Sequence, residues 1–225
     1  MSFSFHVPTN LVFGQGAIQK LHKQRLPGKH ALIVISSGKS TRANGYLDIV
    51  QDQLTQAGVT YTVFDKILAN PVLDNVMDGA ACARANGWDF GLGLGGGSSI
   101  DAAKAMWAFY EYPETTFEDL ITPFSFPELR QKARFCAIPS TSGTATEVTA
   151  FSVITDYQKG IKSPRADFNI TPDVAIIDPA LAETMPPKLV AHTGMDALTH
   201  AIEAYVSTLH TVFTDPLALK AIHIV

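Results

Sequence analysis

Hydrophobic residues fall along this chain in distinct rhythms. Ala31-Leu-Ile-Val-Ile-Ser36 and Phe135-Cys-Ala-Ile138 are continuous apolar runs with no polar face, which predicts strands covered on both sides. Phe90, Leu92 and Leu94 alternate with Gly91 and Gly93, the period of a buried strand that something approaches closely. Val59 to Phe64, Phe151 to Thr155 and Asp173 to Ile177 read as further strands, and residues 3 to 13 as a strand or hairpin. Between them lie helical stretches: Gly16 to Leu26, stopped by Pro27-Gly28; a segment after Ser40 that ends near Ala57-Gly58; and Asp74 to Asn86, closed by Gly87. Strands alternating with helices predict an α/β fold with a doubly wound, mostly parallel, Rossmann-like sheet. Ligands of such sheets sit beyond the carboxyl ends of the strands.

After Asp178-Pro179 the rhythm changes. Leu189 to Val206 and Thr214 to Val225 are helical in pattern, with no strand between them. The expected division is residues 1–183 as an α/β domain and residues 184–225 as the beginning of a helical one, too short for a core of its own. An apolar last helix without a capping residue is expected of a piece of a longer protein, and its bare face predicts self-association.

The turn after the alternating strand has its own chemistry. Gly95, Gly96 and Gly97 can take backbone angles closed to other residues, and Ser98 opens a helix of small residues with Asp101 spaced as in a capping box. Strand, glycine turn and helix start together build an anion site, where free N–H groups meet the positive end of the helix dipole. Without side chains at 95 to 97, a diphosphate could lie against the main chain; the plainer alternative is a tight turn. Gly91-x-Gly93-x-x-Gly96 matches a dinucleotide fingerprint only by accident, since its first two glycines fall inside the strand.

Two other segments are unusual. Pro139-Ser-Thr-Ser-Gly-Thr-Ala-Thr places Ser140, Thr141, Ser142, Thr144 and Thr146 directly after a strand, as phosphate or ribose contacts or as an ordinary hydroxyl-rich cap. In Gly194-Met-Asp-Ala-Leu-Thr-His-Ala-Ile-Glu203, Asp196 and His200 stand one helical turn apart, able to converge on a divalent cation or to make a surface contact. The apolar Met195, Ala197, Leu198, Ala201 and Ile202 around them predict a mostly buried helix, in which charges want a partner or a metal. His192 and Glu203 flank the same face in supporting roles.

Composition narrows the field. A hydrophobic share of 46% with 17% charged residues is ordinary for a folded chain, and a net charge of -4 argues against nucleic acid or an anionic membrane as partner. Cys82 and Cys136 are far apart and read as buried thiols in a reducing compartment. No apolar stretch approaches the about 18 residues of a membrane span, and nothing resembles a signal peptide, so a cytoplasmic location is expected.

Three segments resemble motifs of the iron-containing alcohol dehydrogenases, relatives of glycerol dehydrogenase and dehydroquinate synthase. They are Gly95-Gly-Gly-Ser-Ser-Ile-Asp-Ala-Ala-Lys104, Pro139-Ser-Thr-Ser-Gly-Thr-Ala-Thr-Glu-Val-Thr149 and Gly194-Met-Asp-Ala-Leu-Thr-His-Ala-Ile-Glu203. Phe13-Gly14-x-Gly16, Asn70-Pro71, Ile154-Thr-Asp156 and Asp178-Pro179 fall between them in the family's order. The resemblance implies hydride transfer between a primary alcohol or aldehyde and a nicotinamide cofactor, with residues 1–183 binding the dinucleotide and 184–225 opening a metal-binding domain. It implies that Gly96, Gly97 and Ser98 hold the pyrophosphate, that Thr141, Ser142, Thr144 and Lys162 contact phosphate and ribose nearer the nicotinamide, and that Asn70, Asp101 and Thr149 belong to the same cleft. Asp196 and His200 would be the first two of four ligands to Fe²⁺ (or Zn²⁺), a Lewis acid for the reacting oxygen. The family's other two ligands are histidines beyond the last residue of this sequence, and neither His210 nor His223 sits in a matching motif.

Many members carry an acidic residue after the second strand. Here that place reads Ser36-Ser37-Gly38-Lys39, which fits NADP better than NAD. The leading expectation is a metal-dependent, NADP-favouring alcohol dehydrogenase acting on a small alcohol or aldehyde, as a homo-oligomer. The alternatives are a glycerol-type polyol dehydrogenase and a nucleotide-binding fragment without catalysis.

Overall fold

The structure, a computed structural model, describes residues 3–157 and 160–225. Its strands in chain order are β1 (Asn10–Phe13), β2 (His30–Ser36), β3 (Thr60–Ile67), β4 (Phe90–Gly95), β5 (Arg134–Pro139), β6 (Phe151–Asp156), β7 (Ile161–Ala166) and β8 (Val174–Ile177). The α-helices are α1 (Ser40–Ala43), α2 (Tyr46–Gln56), α3 (Leu73–Asn86), α4 (Gly97–Glu111), α5 (Pro179–Ala182), α6 (Pro187–Val206) and α7 (Thr214–Ile224). Six strands form one all-parallel sheet in the order β1-β8-β5-β4-β2-β3.

The apolar run of β2 serves two cores at once. Ala31, Ile33 and Ile35 pack with Leu47, Val50 and Leu54 of α2, while Leu32 and Val34 face α3 and α4 through Val76, Met106 and Ile100. A strand sandwiched in this way has no solvent face to mark with polar residues. In β4 the large residues Phe90, Leu92 and Leu94 fill the α2 side. Its glycines admit what lies on the other side: a Cβ on Gly93 would come within 3.0 Å of the Ile100 Cα, and one on Gly91 would collide with the Trp88 ring. The close approach expected of this strand is therefore that of α4 and Trp88. The chain leaves β2 toward β3 and returns to β4 on the other side of β2, so a crevice opens between the carboxyl ends of β2 and β4.

Several expectations are corrected. Phe151–Asp156 is a strand but not one of the sheet, since it pairs antiparallel with β7, which its Pro164 and polar residues conceal in the sequence. Only residues 10–13 of the N-terminal stretch are a strand, and the helix expected from Gly16 is a 3-10 turn over Ile18–Lys23. The helix after Ser40 breaks at Asn44-Gly45, where Gly45 adopts φ +73°. Cys136 is buried, which pushes its thiol up to about 12, whereas Cys82 is only half-buried.

The largest difference lies in α6. It packs on α7, where Phe5 stacks on Phe213 with ring centroids 5.5 Å apart and Phe3 meets the same ring edge-on at 5.8 Å. Yet Ala201 is the one buried residue of α6 among those described, and Met195 is 61% exposed. Apolar residues in a helix declare that it wants covering, not that its cover is present. None of the helices among the described residues is long and apolar enough to cross a membrane.

Candidate active site

The fourth strand delivers its glycines to the start of a long helix. Gly95 sits at φ +131°, a region open to glycine, Gly96 is the residue before the helix, and Gly97 is its first residue. No side chain caps this helix. Asp101 is not the capping partner its spacing suggested. Its Oδ2 accepts from the Val153 N–H at 3.1 Å, and its main-chain oxygen accepts from Ser152 Oγ at 2.8 Å, which ties α4 to β6. The amide groups at the helix start thus have no acceptor from a capping side chain, and the dipole is uncompensated there.

Over the turn stands the hydroxyl-rich loop. The Ser140 N–H donates to the Gly95 carbonyl at 2.8 Å, and Gly143 and Ala145 take φ +146° and +51° as the loop doubles back. A Cβ on Gly97 would lie 3.2 Å from Thr144 Oγ1 and 3.3 Å from Thr146 Oγ1, and one on Gly96 would lie 3.4 Å from Thr141 Cγ2. Thr146 Oγ1 donates to Thr144 Oγ1 at 3.2 Å. Gly143 in turn lies against the main chain of Thr193 in α6, where a Cβ would overlap the Thr193 carbonyl.

A cavity of about 620 Å³ opens between these elements. It brings together Asn70, Gly97, Ser98, Asp101, Thr144, Thr149, Lys162, Asp196 and His200, all expected from the sequence. Thr141 and Ser142 instead line a neighbouring cavity of about 360 Å³ beside Asp178 and Pro179. Gly96 lines neither cavity and lies against Thr141. Ser37, Gly38 and Lys39 stand exposed at the end of β2, outside the larger cavity but at the crevice beside β4. Thr146, one of the five loop hydroxyls, joins them, and Pro71, Phe151, Val153 and Glu203 complete the wall without having been singled out as cofactor contacts or ligands of first choice. Phe151 and Val153 give no sequence signal, because only the hairpin's departure from the sheet turns them inward.

The electrostatics of the cavity come from its floor. Burial pushes the Asp101 carboxyl up to about 6, against the pull of Lys104 and Lys162 and of its bond from Val153. Burial likewise lowers Lys104, against the pull of Asp101 and Glu147.

On the opposite wall, His200 Nε2 lies 3.8 Å from Asp196 Oδ1, with both side chains about half exposed. A carboxylate oxygen and an imidazole nitrogen one turn apart are of the right chemistry and spacing for a divalent metal. They supply two donors, and among the described residues no group of three or more candidate ligands gathers. His192 does not line this cavity, whereas Glu203 does.

The sequence profile described as iron-containing alcohol dehydrogenase matches residues 8–179, and that of the C-terminal part of the Fe-containing alcohol dehydrogenases matches 190–225. The chain belongs to the iron-containing alcohol dehydrogenase family. Among the family's members, the NADPH-dependent butanol dehydrogenase of Clostridium saccharobutylicum is 56% identical over 221 residues, spanning 98% of this chain and 56% of that protein. The iron-containing alcohol dehydrogenase of Thermococcus thioreducens superposes with a TM-score of 0.89 at 35% identity, over 97% of this chain and 58% of that one. A sulfoacetaldehyde reductase of Bifidobacterium kashiwanohense in complex with NAD+ superposes at 0.88 with 28% identity, over 99% and 58% of the two chains. The chain thus spans a little over half the length of these relatives.

Proposed function

We propose that the chain forms the cofactor-binding part, and the first metal-binding helix, of an alcohol dehydrogenase that moves a hydride between a primary alcohol or its aldehyde and NADP. The observation that carries this reading is the uncapped glycine turn at Gly95–Gly97, facing the Thr144–Thr149 hydroxyls in the cavity that also holds Asp196 and His200.

On this reading the pyrophosphate rests on the N–H groups of Gly96, Gly97 and Ser98, where the helix dipole favours its charge. Thr141, Ser142, Thr144 and Thr149 donate to the phosphate and ribose oxygens, Lys162 adds a positive charge, and Asn70 with Asp101 orients the nicotinamide end. The stretch Ser37-Gly38-Lys39 takes the 2′-phosphate, since it offers a hydroxyl and a cation with no carboxylate to repel it. Asp196 and His200 hold Fe²⁺ (or Zn²⁺), which supplies Lewis-acid polarisation of the substrate oxygen when bound. The NADPH dependence printed for the Clostridium relative supports the choice of NADP, and its butanol supports a small primary alcohol.

Two further parts of the reading follow. Residues 1–183 act as the dinucleotide-binding domain and 184–225 as the start of the helical metal domain, supported by the near-absence of buried residues in α6 and α7. Exposed Leu209, Val212, Phe213 and Leu217 support self-association. A second reading, a nucleotide-binding chain without turnover, is favoured by the two-donor metal site.

NADPH fluorescence titration tests the cofactor step, with saturable binding expected; a chain that ignores NADPH and NADH at millimolar levels overturns it. Aldehyde-dependent NADPH oxidation with added Fe²⁺ then separates the dehydrogenase from the binding-only chain.

A further inference from the structure

Lys104 has no exposed surface at all, yet it carries a full set of polar partners. Its Nζ donates to the main-chain carbonyls of Thr146 at 2.6 Å, Thr149 at 2.6 Å and Phe151 at 3.0 Å, and lies 3.4 Å from Thr149 Oγ1. An ammonium has three N–H donors, and here each finds a carbonyl. All three acceptors belong to one short segment, which joins the hydroxyl loop to β6. We infer that Lys104 is a positioning residue for the nicotinamide half of the cofactor: its ammonium gathers the 146–151 main chain and so sets the gap between the Thr144–Thr149 hydroxyls and the glycine turn.

The geometry supports this over a purely structural role. A buried ammonium is costly to desolvate, and here it is met by three carbonyls drawn from one short cavity-lining segment. The gap that Lys104 governs is narrow, with only 3.3 Å between Thr146 Oγ1 and the place a Gly97 Cβ would occupy. Lys104 itself does not line the cavity, so it acts through the segment it holds.

The inference rests on the dinucleotide reading of the cavity, and the test keeps the two apart. In the wild-type chain, NADPH and adenosine 2′,5′-bisphosphate are titrated separately; if neither binds, the dinucleotide reading itself falls. In Lys104→Met, the NADPH Kd is expected to rise at least tenfold while the adenosine 2′,5′-bisphosphate Kd stays within twofold, since the adenosine half lies on β2 and the glycine turn. Lys104→Gln, which keeps two of the donors, is expected to fall between and serves if the methionine variant does not fold. Both ligands weakening together in the folded variant, or NADPH binding unchanged, overturns the role of Lys104.

Discussion

The amino end of the parallel sheet and the start of α4 at its carboxyl end handle main-chain N–H groups in opposite ways. At the amino end the protein supplies its own anions. Asp89 accepts from the amides of Lys29 at 2.8 Å and His30 at 2.7 Å. Asp173 accepts from the Phe135 amide and the Arg130 guanidinium, both at 2.8 Å. Glu111, at the last residue of α4, takes the Trp107 indole and the amides of Arg130, Gln131, Lys132 and Ala133. At the carboxyl end, Asp178 does the same for Gly16, Ile18 and Ala180, but the first turn of α4 receives no capping side chain. One helix thus finishes on a saturated carboxylate and starts on bare amides. Stability sits at one end of it, and room for a foreign anion at the other.

The sharpest way to break this comparison is Glu111→Leu, which strands four amides and an indole N–H in a buried place. A loss of about 3–5 kcal/mol is expected in chemical unfolding, with the NADPH Kd of the folded fraction unchanged. A smaller loss, or a weakened cofactor, would show that the two ends are not separate. Gly97→Ala is the mirror experiment: NADPH should bind roughly tenfold more weakly, about 1.4 kcal/mol, while the unfolding midpoint barely moves.

Asp101 sharpens the contrast through pH. Its folded-state value near 6 lies above the about 3.9 of an unfolded aspartate, so the folded chain binds the extra proton. Its contribution to stability is therefore greatest below about pH 4 and is lost as pH rises through 6. Relative to Asp101→Asn, wild-type unfolding free energy should fall across that window by roughly 3 kcal/mol, and a flat difference would remove the desolvated carboxyl from the account. The smallest effect is expected at Lys39, which is exposed. Lys39→Ala should lower the preference for NADPH over NADH by about fivefold, near 1 kcal/mol, measured as a ratio of Kd values.

What could be read from the sequence was what a short stretch decides by itself. The β2 run, the Gly95–Gly97 turn, the hydroxyl loop and the Asp196–His200 spacing each depend on neighbours within a few residues. The structure gathers Gly97, Thr144, Thr146, Asp196 and His200 from them around one cavity. What could not be read depended on distant partners. Phe151–Asp156 has a strand's pattern whichever strand it pairs with, and only β7 removes it from the sheet. Asp101 has the spacing of a helix cap, but Val153 claims its carboxylate from far along the chain. Lys104 looks like one more solvated lysine until three carbonyls are found around it.

The contact at Gly143 has a mechanical consequence. Main chain touches main chain there, only three positions ahead of Asp196, with no compressible side chain in between. On the dinucleotide reading, a tilt of α6 would be passed to the loop over the glycine turn, so that gripping the dinucleotide and placing the metal pair would be geared to each other through this contact.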